Sequence, residues 1–253
     1  MNDSSRQRRE AVRQLFAEAG VTQCNFLCAS FRSGSTYIAS LLGNNGVRGL
    51  GYERLNFFVR DKIPHASDEK IIAAWERVIK ESSADGVFTA KLMWGQWSAA
   101  LRSLNFPLQV TIDELREVFP SPRFVYNKRL DVFSQAVSYW KAQTLNVWHD
   151  TGNSDEPEPE LPYEFGPIAK CLRDQLISAR MWELWLAPIP HETVVYEEFI
   201  KDPATHLQRM CTIYGLERGG ELKLETKHRK QSNSHSKLIR AKFIEDIYQG
   251  RRL

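Results

Sequence analysis

A single α/β domain with a central parallel sheet flanked by helices is the fold class that this sequence predicts, on three observations. The chain has 253 residues, 42% of them apolar and 26% charged, which suits one domain with a sizeable core. Short apolar runs of strand length alternate with segments of helical periodicity. The segments between successive strands are long enough for crossover connections, and strand–helix–strand order favours right-handed crossovers and a doubly wound sheet.

The elements follow in order. Residues 1–20 carry Arg6, Arg8, Arg9, Glu10, Arg13 and Glu18 around a few apolar positions and predict a charged helical extension, with residues 21–253 as the domain proper. The runs Asn25–Ser30, Val47–Leu50, Val87–Met93, Arg123–Asn127 and Thr193–Tyr196 are expected to be short buried strands. Between them, Asp68–Lys80 sets Ile71, Ile72, Trp75, Val78 and Ile79 on one helical face. Thr111 is placed to cap a helix reaching Phe119, and Asp131 to cap one carrying Val132, Ala136, Val137 and Trp140 on a stripe. A helix is expected over Ile168–Leu186, and Asp202-Pro203 opens another as N-cap and first-turn proline. The acidic, proline-rich stretch Thr151–Pro162 predicts a mobile surface loop, with a lid over an acceptor as the alternative.

Composition narrows the classes. A net charge of +3 without a long basic block argues against nucleic acid as a partner. No stretch has the apolar length of a signal peptide or of a membrane span. The four cysteines, Cys24, Cys28, Cys171 and Cys211, are too few and scattered for a disulfide framework, and they form no zinc pattern. They read as reduced core thiols of a cytoplasmic protein, and no metal site is expected.

Ligands in such sheets bind where strands end at their carboxyl edge, so the turns after Ser30, Met93 and Asn127 are the candidate sites. Phe26 to Leu42 reads as a strand, a turn of small polar residues and an apolar helix. That order aims free backbone N–H groups and the positive end of a helix dipole at one point, which suits a phosphate or sulfate. Gly34 permits the tight turn, Ser33, Ser35 and Thr36 add hydroxyls, and Arg32 adds a charged fork. By itself this stretch fits a Ser-rich helix cap equally well. A second element follows the strand ending near Asn127: Arg129 precedes the Asp131 cap, and Ser134 and Ser138 lie one turn apart, so Arg129 and a hydroxyl can grip a second phosphate. The Gly-x-x-x-x-Gly-Lys-[Ser/Thr] loop of nucleotide triphosphatases is absent.

Taken together, Arg32-Ser-Gly-Ser-Thr36 resembles the 5'-phosphosulfate loop of sulfotransferases dependent on 3'-phosphoadenosine 5'-phosphosulfate (PAPS), and Arg129 to Ser138 resembles their 3'-phosphate element. With Lys91-Leu-Met-Trp-Gly-Gln96 and Asp131 to Trp140, continuing to Val147-Trp148, the chain is similar to bacterial carbohydrate sulfotransferases of the trehalose 2-sulfotransferase type. The resemblance implies PAPS as sulfuryl donor, a carbohydrate or glycoconjugate as acceptor, and no metal. It implies a donor site of Arg32, Ser33, Gly34, Ser35, Thr36, Arg129, Ser134 and Ser138, extended by Lys230 and Gln231 with Ser236 in the tail.

The same resemblance implies Arg32 and Lys91 as the cations that offset charge on the departing phosphate, and Trp94 or Trp97 as a face for a sugar. The family pattern Gly-Glu-x-x-Glu-Phe-Phe reads here as Gly51-Tyr-Glu53-Arg-Leu-Asn56-Phe-Phe58, so Asn56 stands at the position of the family's base. An amide cannot take a proton as a carboxylate does, which makes Glu53 the first candidate base, with Asp61 and His65 behind it. Two alternatives remain at this level: a nucleotide-dependent small-molecule kinase, and a non-catalytic nucleotide-binding relative that lost its base.

Overall fold

A computed structural model of the chain describes residues 3–148, 159–216, 221–226 and 233–253. Its five-stranded sheet has β1 (Gln23–Ala29) at the centre, β3 (Val87–Met93) on one side and β4 (Pro122–Lys128) then β5 (His191–Val195) on the other. These four strands are parallel, and the two-residue β2 (Ser83–Ala84) adds an antiparallel edge to β3. In the ladder Ala29 lies opposite both Met93 and Asn127. Three strands therefore end at one level, and the segments that leave them are neighbours.

The period-two alternation of the strands divides the core between the two faces. From β1, Cys24, Phe26 and Cys28 enter one apolar cluster, while Leu27 enters the other; Phe124 and Val125 of β4 divide likewise. The first cluster is built by α1 (Asp3–Glu18), α4 (Asp68–Ser82), α5 (Trp94–Ser103) and the end of α8 (Phe165–Leu186). The second is covered by α2 (Ser35–Asn44) and α10 (Pro203–Ile213). A third lies between α7 (Val132–Leu145), α8 and α11 (Ser234–Tyr248). The charged first helix buries Val12 and Phe16 completely against the sheet, so its apolar positions belong to the main core.

Most local signals resolve as expected. Thr111 caps α6 (Ile112–Arg116), accepting from the Glu114 N–H at 3.2 Å while the Glu114 carboxylate accepts from the Thr111 N–H at 2.7 Å. The helix stops at Arg116, short of Phe119. Asp131 caps α7 by accepting from the Ser134 N–H, and Asp202 caps α10 by accepting from the Thr205 N–H.

The expected strand at Val47–Leu50 is not one. Its Val47 and Leu50 are buried apolar pegs on a turning segment with Gly46 and Gly49 at φ of 97° and 90°. Gly49 passes so close to β3 that a Cβ there would lie 2.8 Å from the Thr89 carbonyl oxygen. Apolar character therefore reports burial here, not pairing. Similarly, Tyr196 opens α9 (Tyr196–Phe199) instead of closing β5. Of the acidic stretch Thr151–Pro162, residues 151–158 lie outside the described residues, and the question of a lid with them. No helix among the described residues is long and apolar enough to cross a membrane.

Candidate functional site

Where β1 ends, the chain turns through Arg32 at φ 60° and Gly34 at φ 86° before entering α2. Only glycine fits the second position without cost, because φ is positive and a Cβ would overlap the Tyr196 ring. The left-handed Arg32 is held from outside: its carbonyl accepts from Arg129 Nη1 at 2.8 Å. Asn127, at the end of β4, donates through Nδ2 to the Ser33 carbonyl at 3.1 Å and to its hydroxyl at 2.8 Å. Gln135 of α7 donates to the Phe31 carbonyl at 2.8 Å. The turn is thus fixed by three neighbours, yet α2 begins at Gly34 with no side-chain cap. Helix N-termini without a cap leave their first N–H groups and the positive end of the dipole for an anion to satisfy.

The second strand end supplies a buried cation. Lys91 is 1% exposed, and its ammonium donates to Thr36 Oγ1 at 3.3 Å and lies 3.6 Å from Glu53 Oε1. Burial lowers its pKa; Glu53 opposes that shift and the Arg32 charge adds to it. The Glu53 carboxylate is held at its other oxygen, where Gln96 Nε2 donates to Oε2 at 2.9 Å. Asn56 is exposed at the start of α3 (Asn56–Arg60), and Asp61 is exposed and bonded to Arg60 at 2.8 Å. His65 is exposed as well. Among the acid and base candidates, the fold brings Glu53 to the strand ends and leaves the others outside.

The third strand end carries Arg129. Its Nε is buried without a hydrogen-bond partner, 3.9 Å from Glu197 Oε1, while its guanidinium lies 5.3 Å from the centre of the Tyr196 ring. Glu197 itself accepts from the N–H groups of Leu130 and Asp131, both at 3.0 Å. The two serines expected beside Arg129 are engaged elsewhere. Ser134 Oγ donates to Asp131 Oδ2 at 2.7 Å, and Ser138 Oγ accepts from Arg32 Nε at 3.0 Å. Arg32 Nη1 also donates to the Trp148 carbonyl at 2.5 Å, so this guanidinium ties the turn to α7 and to the segment after it. Lys230 and Gln231 lie outside the described residues. Ser236 is described, and its hydroxyl accepts from the buried Lys141 ammonium at 2.9 Å.

Beside these groups opens a cleft of about 270 Å³ lined by Phe31, Met93, Trp94, Gly95, Tyr139, Asp174, Gln175, Ile177 and Ser178. Phe31 and Tyr139 stack with ring centres 5.3 Å apart and 5° between their planes, and Trp148 tilts against both. Trp94 is partly buried on the wall, edge-on to Trp182, whereas Trp97 is fully buried in the core. The Tyr139 hydroxyl is pushed up to about 12, by burial first and then by the charges around it, among them Asp174 and Glu53.

Tyr196, Glu197, Asn127 and Gln96 were not singled out by sequence reasoning. Two signals pointed to members of this group: Asn127 is a polar residue closing an apolar strand, and Gln96 closes the motif that begins at Lys91.

A parallel-sheet α/β protein, with its cations, its carboxylate and an aromatic cleft gathered at one edge of the sheet, is the class that this fold and site define. The chain belongs to the Stf0 sulphotransferase family, whose model matches residues 24–246. It is 31% identical over 134 residues to the trehalose 2-sulfotransferase of Mycobacterium tuberculosis (strain ATCC 35801 / TMC 107 / Erdman), a match covering 49% of each chain. It is 26% identical over 192 residues to the trehalose 2-sulfotransferase of Mycolicibacterium smegmatis (strain ATCC 700084 / mc(2)155), covering 62% of this chain and 70% of that one. The first match thus spans about half the length of that relative. Among solved structures, the sulfotransferase domain from the curacin biosynthetic pathway aligns over 92% of both chains, with 13% identity and a TM-score of 0.49.

Proposed function

We propose that this chain transfers the sulfuryl group of PAPS to a hydroxyl of a carbohydrate or glycoconjugate. The observation that carries the reading is the convergence of Glu53, Lys91 and Thr36 at adjacent strand ends, beside an aromatic cleft. The curated relatives, named as trehalose 2-sulfotransferases, support a carbohydrate acceptor.

The residues present fit such a donor. An uncapped helix N-terminus, a glycine cradle and a buried ammonium suit the phosphosulfate, and the Arg129 Nε suits the 3'-phosphate. When bound, the donor supplies the sulfuryl group: sulfur bonds to the acceptor oxygen as its bond to the bridging phosphate oxygen breaks, and adenosine 3',5'-bisphosphate leaves. Lys91 and the first N–H groups of α2 offset charge on the phosphate side, where preorganised donors act without reorganisation. Glu53 takes the proton of the acceptor hydroxyl. Phe31, Tyr139 and Trp94 offer the acceptor ring an aromatic wall. The position of Glu53 favours an enzyme over a non-catalytic relative. The four cysteines, all buried thiols, support a reducing, cytoplasmic setting.

Two measurements test this. Adenosine 3',5'-bisphosphate should bind without magnesium in calorimetry; tight magnesium-dependent ATP binding with no bisphosphate binding would overturn the reading in favour of a kinase. Labelled PAPS should be turned over with at least one member of a carbohydrate panel, and Glu53→Gln should lower that turnover ~100-fold or more while leaving bisphosphate affinity unchanged.

A further inference from the structure

We infer that Gln96 is a positioning residue for the base: it clamps Oε2 of Glu53 and leaves Oε1, the oxygen facing Lys91, to take the acceptor proton. The inference rests on the reading of Glu53 as the base.

The orientation of the Gln96 amide is settled by its second contact. Gln96 is 2% exposed, and its Oε1 accepts from the Met93 N–H at 3.1 Å. A backbone N–H can only donate, so the oxygen must face Met93 and the NH₂ group must face Glu53. The 2.9 Å contact to Glu53 Oε2 is then an amide donating to a carboxylate. The opposite oxygen, Oε1, has Lys91 at 3.6 Å, beyond hydrogen-bond length. One carboxylate oxygen is thus held at 2.9 Å by the amide, and the other lies at a looser 3.6 Å from the ammonium.

The effect is that one short corner, from Lys91 at the end of β3 to Gln96 in the first turn of α5, holds both sides of a side chain that arrives from a separate loop. Glu53 has no helix or strand beneath it: its backbone lies on the irregular segment between α2 and α3. Without the amide, the carboxylate would be free to turn onto the Lys91 ammonium and form a closer pair, which would withdraw it from an acceptor.

A purely structural role makes a different prediction. Gln96 also caps the first turn of α5, and glutamate serves that position equally well. Gln96→Glu keeps an acceptor for the Met93 N–H but removes the donor to Glu53 and adds a like charge. Gln96→Leu removes both contacts at similar volume.

The direct probe is the split between kcat and KM for PAPS and a panel acceptor, read beside bisphosphate affinity in each variant. The charged and titratable groups that face Glu53 are Lys91 of β3 and Tyr139 of α7; both are kept in both variants. Losing the donor that fixes Oε2 should lower kcat and leave the acceptor KM nearly unchanged in both variants, and Gln96→Glu, which keeps the helix cap, should fall at least as far as Gln96→Leu. Turnover with PAPS and a panel acceptor should fall about tenfold to a hundredfold in each. Bisphosphate binding by each variant serves as the check of folding. A wild-type kcat in a folded Gln96→Glu protein overturns the inference, even if Glu53→Gln abolishes turnover. Full turnover by Glu53→Gln would instead remove the base assignment itself.

Discussion

The ammonium of Lys91 is held where burial works against its charge. At 1% exposure, desolvation lowers its pKa, and the partial compensation comes from Glu53. A lowered pKa means that the cation is lost at a lower pH than for an exposed lysine. Because the proposed donor is an anion, affinity must fall as pH rises through that range. Calorimetric titration with adenosine 3',5'-bisphosphate from about pH 7 to 10 should show this alkaline loss. Lys91→Met should bind more weakly at neutral pH and lack that limb; a limb that persists in the variant would assign it to another group.

At the scale of elements, the turn between β1 and α2 joins local and tertiary requirements. Gly34 is needed twice: for its φ of 86°, and because the Tyr196 ring from the start of α9 fills the space of a Cβ. Gly34→Ala should cost about 1 kcal/mol or more in urea denaturation and weaken bisphosphate binding. Pairing it with Tyr196→Ala separates the two causes. The double variant should recover the part due to overlap but not the part due to φ, a non-additivity expected of residues in contact. Full additivity would show that the ring yields freely.

Much of this turn was legible in the sequence, since strand, small polar residues and apolar helix follow one another within 17 residues. The caps at Thr111, Asp131 and Asp202 were legible for the same reason: each bond closes over three residues. The partner of Ser138 on α7 was not. Ser138 meets Arg32 across 106 residues of chain, and no local pattern encodes that distance.

At the scale of the whole molecule, the first helix is part of the core and not an appendage. Phe16 is fully buried and sits edge-on to Phe88 and Phe119, with ring centres 5.3 and 5.8 Å apart. Phe16→Ala should therefore destabilise the whole domain by about 3 to 5 kcal/mol in equilibrium unfolding. A loss below about 0.5 kcal/mol, typical of a surface position, would show α1 to be independent of the sheet.

The sequence by itself determined the alternation of strands and helices, the helix caps and the position of the turn between β1 and α2, because these depend on side-chain period and on contacts a few residues apart. Tertiary structure decided that Glu53, and not Asp61 or His65, meets the Lys91 ammonium. Glu53 and Asn56 are three residues apart on a segment with no strand of its own, and its course is set by Gly49 passing against β3 and by Leu55 and Phe58 entering the core. With Phe58 buried at the start of α3, Asn56 lies about 200° away around the helix and faces solvent. Glu53, just before that helix, is left beside Lys91 and Gln96. Burial of two apolar side chains, a long-range packing effect, therefore selects the carboxylate that meets the cation.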